Sequence, residues 1–161
     1  MTGMVWKPDV TVAAVAERDG RFLVVEERAS GRVVINQPAG HLEDGETLFE
    51  AIVRETLEET AWLFEPRSVV GVYLWRPEHL SRTFLRVAFS GELLSHDPSR
   101  ELDRGILRTR WLSRAELGHP AARLRSPLVL RCVDDYLAGV RHPLDLISHL
   151  IAEPATLAAS G

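Results

Sequence analysis

Cysteine is almost absent from this chain of 161 residues. Cys132 stands alone, so no disulfide can form within it, and a small scaffold stapled by bridges is excluded. Long apolar runs are missing too: no stretch approaches the ~20 apolar residues that a bilayer-spanning helix needs. The opening MTGMVWKPDV shows neither the apolar core nor the cleavage site of a signal peptide. Positive charge is in deficit, with 19 Lys and Arg against 23 Asp and Glu, a net charge of −4. That balance argues against a nucleic-acid polymer or a membrane as partner, and with the lone cysteine it fits a cytoplasmic protein. Phosphate-loop, Gly-x-Ser-x-Gly and dinucleotide-binding glycine patterns are all lacking, which removes the kinase, triad-hydrolase and dehydrogenase readings. The histidines, at 41, 79, 96, 119, 142 and 149, form no close pair of the zinc-binding type.

What is present is ordinary in bulk and specific in pattern. A hydrophobic content of 45% and a charged content of 26% suit one globular domain with a real core. We expect that domain over residues 7–152, followed by a small-residue tail, 153–161, that frays. Val10–Ala16 and Phe22–Glu27 read as strands joined by an Asp19-Gly20 hairpin turn. Val33–Gln37 is a short third strand, and Pro38-Ala39-Gly40 then ends regular structure. Thr47 and Glu50 form a Thr-x-x-Glu capping box that starts a helix. Val69–Trp75, Thr83–Leu94 and Leu107–Leu112 are strand-like, and Ser113 with Glu116 opens a short capped turn. In Thr83–Leu94, Leu85, Val87 and Phe89 share one face and Arg82, Phe84 and Arg86 the other. A last helix opens with Ser126 as cap and Pro127 at its first position and stops near Gly139. It holds Cys132 among Val129, Leu130 and Val133, as a buried inert thiol, and sends Asp134 and Asp135 to different, solvent-facing sides. Strands interspersed with two main helices indicate an α/β or α+β domain.

The chemistry concentrates in residues 40–62, GHLEDGETLFEAIVRETLEETAW. Helical spacing puts Glu55, Glu58 and Glu59 in one wedge of the helix surface behind Arg54. Glu58 and Glu59 fall in the last turn, where the helix dipole disfavours negative charge. Arg54 lies N-terminal to Glu58 by four, the weaker order for an ion pair. Helix stability does not account for these charges, whereas an all-oxygen cluster suits a hard divalent cation such as Mg²⁺.

The same stretch resembles the signature of the Nudix family: Gly40, Glu46, Arg54-Glu55, and Glu58-Glu59 stand at its spacing. Thr56 and Trp62 occupy positions that the family gives to aliphatics, and Ala61 replaces a glycine suited to a left-handed helix cap. The resemblance implies an α/β/α sandwich around a mixed sheet and a Mg²⁺-dependent (or Mn²⁺-dependent) phosphoanhydride hydrolase. It makes Glu55, Glu58, Glu59 and the backbone carbonyl of Ala39 metal ligands, and has Arg54 orient Glu55 while Gly40 and Glu46 support the loop. Glu101 and Asp103 are candidates for a second acidic contribution from outside the box, with solvated loop residues as the alternative. Arg82, Phe84 and Arg86 could grip phosphate and stack on a ring, or form an outer face with surface arginines. His41 could touch substrate or stand exposed in its loop.

The likeness runs through KPDVTVAAV, GRFLVVEE, INQPAGHLE, TFLRVAF, LRSPLVLRCVDDYLAG and RHPLDLI, which are similar to the NudJ-type Nudix phosphatases of bacteria. It implies release of phosphate from nucleoside di- and triphosphates and from hydroxymethylpyrimidine pyrophosphate; the sequence leaves a monomer and a homodimer equally open. The alternatives are another Nudix specificity (ADP-ribose, a dinucleoside polyphosphate, an oxidised nucleotide) and a non-catalytic nucleotide-sensing Nudix domain. Silent versions usually lose box carboxylates, and all are retained here.

Overall fold

Strand β1, Asp9–Val15, shows how the chain is layered. Val12, Ala14 and Ala16 pack with Ala51 and Ile52 of one helix, while Ala13 and Val15 pack with Val129, Cys132 and Val133 of another. A strand with helices on both faces must be apolar at every position rather than at alternate ones, and residues 12 to 16 read Val-Ala-Ala-Val-Ala. The result is an α/β/α arrangement, an α+β sandwich. The computed structural model describes residues 3–151; the expected tail from Glu153 lies outside them.

After β1 come β2 (Glu17–Arg18), β3 (Arg21–Ala29), β4 (Arg32–Asn36), β5 (Ala39–His41), helix α1 (Leu48–Thr60), β6 (Trp62–Trp75), β7 (Phe84–His96), β8 (Ile106–Ser113), α2 (Arg114–Leu117) and α3 (Leu128–Leu137). One sheet runs β5-β1-β7-β6 and is mixed: β1 pairs parallel with β7 and antiparallel with β5, and β6 pairs antiparallel with β7. The other holds β2, β3 and β4, with β8 on the free side of β3. No helix among the described residues is long and apolar enough to cross a membrane.

Local signals place most boundaries. Asp19 and Gly20 both have positive φ at the β2–β3 turn, as a tight hairpin requires. Thr47 caps α1 through a complete capping box with Glu50, and Ser113 with Glu116 does the same for α2. Ser126 Oγ accepts the Leu128 N–H ahead of α3. Ala61 ends α1 in the left-handed region, φ 61° and ψ 13°, the conformation that costs a non-glycine residue ~1–2 kcal/mol.

Three expectations need correction. Pro38-Ala39-Gly40 does not end regular structure, because Ala39–His41 pairs with Thr11, Val12 and Ala13 of β1, a ladder that the local sequence hides. Strand β6 starts at Trp62, directly after the helix, rather than at Val69; β7 runs out to His96 beside it and pairs the extra residues. Arg82 does not share a strand face with Phe84 and Arg86. It precedes β7 and pairs with Asp9 at 2.9 Å.

Candidate active site

Helix α1 carries Arg54, Glu55, Glu58 and Glu59, and its neighbours decide what each can do. The Arg54 guanidinium donates to Glu46 at 2.7 and 2.9 Å, to Glu55 at 2.8 Å, to Glu58 at 3.2 Å and to the His41 carbonyl at 3.1 Å. One cation thus holds the box loop and two helix carboxylates together. Arg54 holds the Glu46 carboxyl below its ordinary range, and these partners in turn raise the guanidinium's own pKa.

Gly40 abuts the same carboxylates. A Cβ there would fall 2.1 Å from the Glu55 carboxyl group, so any larger residue would push that carboxylate out of its present place. Next to it, the Ala39 N–H donates to Glu59 at 3.3 Å.

Asp103 arrives from the loop before β8, and its N–H donates to the Glu58 carbonyl at 2.9 Å. Carboxylate oxygens of Glu55, Glu58 and Asp103 all lie within 4.8 Å of one another. Glu101, from the same loop, is exposed and lies outside this cluster. Glu59 faces the cleft beside the cluster and is 7% exposed. Burial drives its pKa up to about 9, and Glu55 and Glu27 push it the same way. Burial also raises the pKa of Glu55, against the pull of Arg54.

Of the five acidic groups here, Arg54 bonds Glu46, Glu55 and Glu58, while Glu59 and Asp103 have no cationic partner among the described residues. Carboxylates left in such excess favour either protonation or a bound cation. Hard oxygen donors of this number and kind fit a divalent ion of the Mg²⁺ class better than a soft metal.

A cleft of about 440 Å³ opens beside them, lined by Glu55, Glu59, Ala39, Gly40 and His41 on one side. Asn36, Trp75, Phe84, Arg86 and Arg125 are among the residues lining the rest. Trp75 and Phe84 stack at 5.6 Å and 26°. Arg86 is not on an outer face: it is 6% exposed, because α3 covers that side of the sheet. Its burial lowers its pKa. Arg82 is exposed, leans over Phe84 at 5.1 Å and does not line the cleft. His41 lies in β5 rather than a loop, exposed at the cleft edge, 3.7 Å from Asp9. Asp134 is exposed and pairs with Arg114, but Asp135 is half-buried and accepts the Tyr73 hydroxyl at 2.8 Å. Trp75, Asn36 and Arg125 carried no sequence signal that would have placed them here; they come from three separate segments.

A family model described as the NUDIX domain matches residues 6–131. The chain belongs to the Nudix family. Phosphatase NudJ of Escherichia coli (strain K12) is 43% identical over 143 residues, covering 88% of this chain and 92% of that relative. The NudJ of Shigella flexneri matches to the same extent. Among solved structures, a NUDIX hydrolase from Nitrosomonas europaea superposes with a TM-score of 0.87 at 46% identity, over 91% of this chain and 100% of that one. A UDP-X diphosphatase, at 20% identity and a TM-score of 0.69, shares the fold. With its family and these relatives, this chain is an enzyme, a Nudix hydrolase.

Proposed function

We propose that the protein is a Mg²⁺-dependent phosphatase that hydrolyses the terminal phosphoanhydride of nucleoside di- and triphosphates or of hydroxymethylpyrimidine pyrophosphate, and releases orthophosphate. The observation that carries this reading is the carboxylate cluster of Glu55, Glu58 and Asp103 beside an open cleft with arginines on its other side. Similarity to the NudJ phosphatases supports the phosphatase outcome.

Glu55, Glu58 and Asp103 would hold the metal, with Glu59 and the Ala39 carbonyl as further oxygen donors. A divalent cation bound there supplies charge neutralisation for phosphate oxygens and acidifies water. The chain's own groups do the rest. Arg54 fixes Glu55 and Glu58 in place, so neither of these carboxylates has to reorganise when substrate arrives. Gly40 keeps the path to Glu55 open. Trp75 and Phe84 offer an aromatic wall for a planar ring. The net charge of −4 fits a small phosphoanhydride rather than a nucleic-acid polymer as substrate, and a cytoplasmic site of action fits such a substrate.

The test is a substrate panel with Mg²⁺, Mn²⁺ or chelator, reading orthophosphate and pyrophosphate separately. Orthophosphate from a nucleoside diphosphate supports the proposal. If triphosphates give signal only after inorganic pyrophosphatase is added, the cleaved bond is the inner anhydride and the phosphatase reading falls.

A further inference from the structure

One cation in this protein is buried without a carboxylate partner. Arg86, on β7, is 6% exposed, yet no acidic side chain pairs with it among the described residues. Arg125, which shares the cleft wall, is half exposed and already paired with Glu27 at 2.9 Å.

The partners of Arg86 are neutral. One terminal nitrogen donates to Gln37 Oε1 at 3.0 Å and the other to Asn36 Oδ1 at 3.4 Å. A guanidinium carries five N–H donors, so these bonds leave an N–H over on each terminal nitrogen, while Nε, without a hydrogen-bond partner, is itself sealed from solvent. Both amides are themselves pinned. Gln37 is 1% exposed and its Nε2 donates to the Val129 carbonyl on α3 at 2.7 Å. Asn36 donates its other end to Glu27 at 3.3 Å. Two consecutive residues at the end of β4 thus fix the plane of a buried guanidinium from below.

Stability does not ask for this arrangement. A buried charge without a counter-charge is costly, and an apolar residue would fill the space under α3 at no such cost. A desolvated, oriented guanidinium that lines an open cleft has one compensating use, the capture of an anion from solution.

We propose that Arg86 is the phosphate anchor of the cleft, binding a phosphate group of the substrate through its free N–H donors, and that Gln37 is the residue that positions it. The inference rests on the hydrolase reading only for the identity of the substrate; the anion site itself does not need the metal. Arg86 supplies charge, and Gln37 supplies direction by tying the guanidinium to the α3 backbone. Arg125, paired with Glu27 and exposed at the rim, is not the anchor.

The experiment titrates full-length protein with inorganic pyrophosphate in EDTA, followed by tryptophan fluorescence, since Trp75 lines the same cleft. Wild type should saturate. Arg86→Met should weaken binding by about tenfold or more, as loss of a charge-assisted contact does. Arg86→Lys should restore part of it, and Arg125→Ala should change it less than threefold, on the order of what a screened rim charge contributes. Gln37→Met, which keeps the charge and the volume but releases its direction, should weaken binding by an intermediate factor. In steady-state assays with Mg²⁺, Gln37→Met should raise KM with kcat nearly unchanged, a split that general loosening of the core would not give. Melting curves confirm that each variant is folded. Wild type that fails to bind, or Arg86→Met that binds like wild type, overturns the proposal. Absence of Mg²⁺-dependent turnover with the EDTA result intact instead overturns the hydrolase reading and leaves the anion site standing.

Discussion

Glu59→Gln should stabilise the metal-free protein, although it removes a group from the site. In the folded chain the Glu59 carboxyl is 7% exposed and its pKa sits at about 9, against 4.5 for the free side chain. Between those values the folded state holds a proton that the unfolded state releases, so stability falls as pH rises through this window, by up to about 1.4 kcal/mol per pH unit. At pH 7.5 the accumulated cost is about 4 kcal/mol, and at pH 5 it is below about 1 kcal/mol. Water entering the cleft lowers both figures. Glutamine keeps the shape, can accept the Ala39 N–H and never ionises, so it escapes the cost. We expect the variant in EDTA at pH 7.5 to melt higher than wild type by roughly 5 °C or more, with the advantage shrinking towards pH 5. Saturating Mg²⁺ should erase the difference, because a bound ion neutralises the carboxylate instead. The assay is thermal melting of both proteins at several pH values, with EDTA and with Mg²⁺. Equal or lower melting of the variant in EDTA at pH 7.5, or an advantage that does not depend on pH, would refute the reasoning.

Glu58→Gln should lower Mg²⁺-dependent turnover by about 100-fold or more, since loss of even an outer-shell partner costs a metal site up to that much; steady-state hydrolysis checks it, and near-normal activity would remove Glu58 from the metal site. Gly40→Ala should fold and melt close to wild type, because its Cβ meets the movable end of Glu55, but displacing that carboxylate by about 1 Å should cost on the order of 100-fold in kcat. Thr47→Ala removes a complete capping box from α1 and should cost about 1 kcal/mol in urea unfolding, with KM for substrate little changed.

How much of this was legible beforehand depended on range. The wedge of Glu55, Glu58 and Glu59 follows from helical spacing over five residues, and the Thr47 and Ser113 capping boxes from spacing over four. Asp103 and Glu101 were indistinguishable in the sequence. The hydrogen bond from Asp103 to the Glu58 carbonyl, across 45 positions, separates them. Alternation along β7 set Arg86 opposite Leu85 and Val87 but could not say that α3 would bury that face. Ala39–His41 looked like the end of order because its pairing partners lie on β1, about 28 residues away.

The sequence by itself determined the chemistry on offer: a dense set of oxygen donors on one helix, one arginine among them, a single cysteine, and apolar runs fit for strands covered on both faces. Only the tertiary structure decided which charges are desolvated. In the sequence Glu59 is one of three clustered glutamates and Arg86 one polar position of a strand; their energetics come from what packs over them, Ala39 and the cleft wall in one case and α3 in the other. Local spacing fixes where a side chain points along its own element. Dielectric environment and counter-charge depend on chain segments far apart in sequence, and those meet only when the sheet closes between its helices.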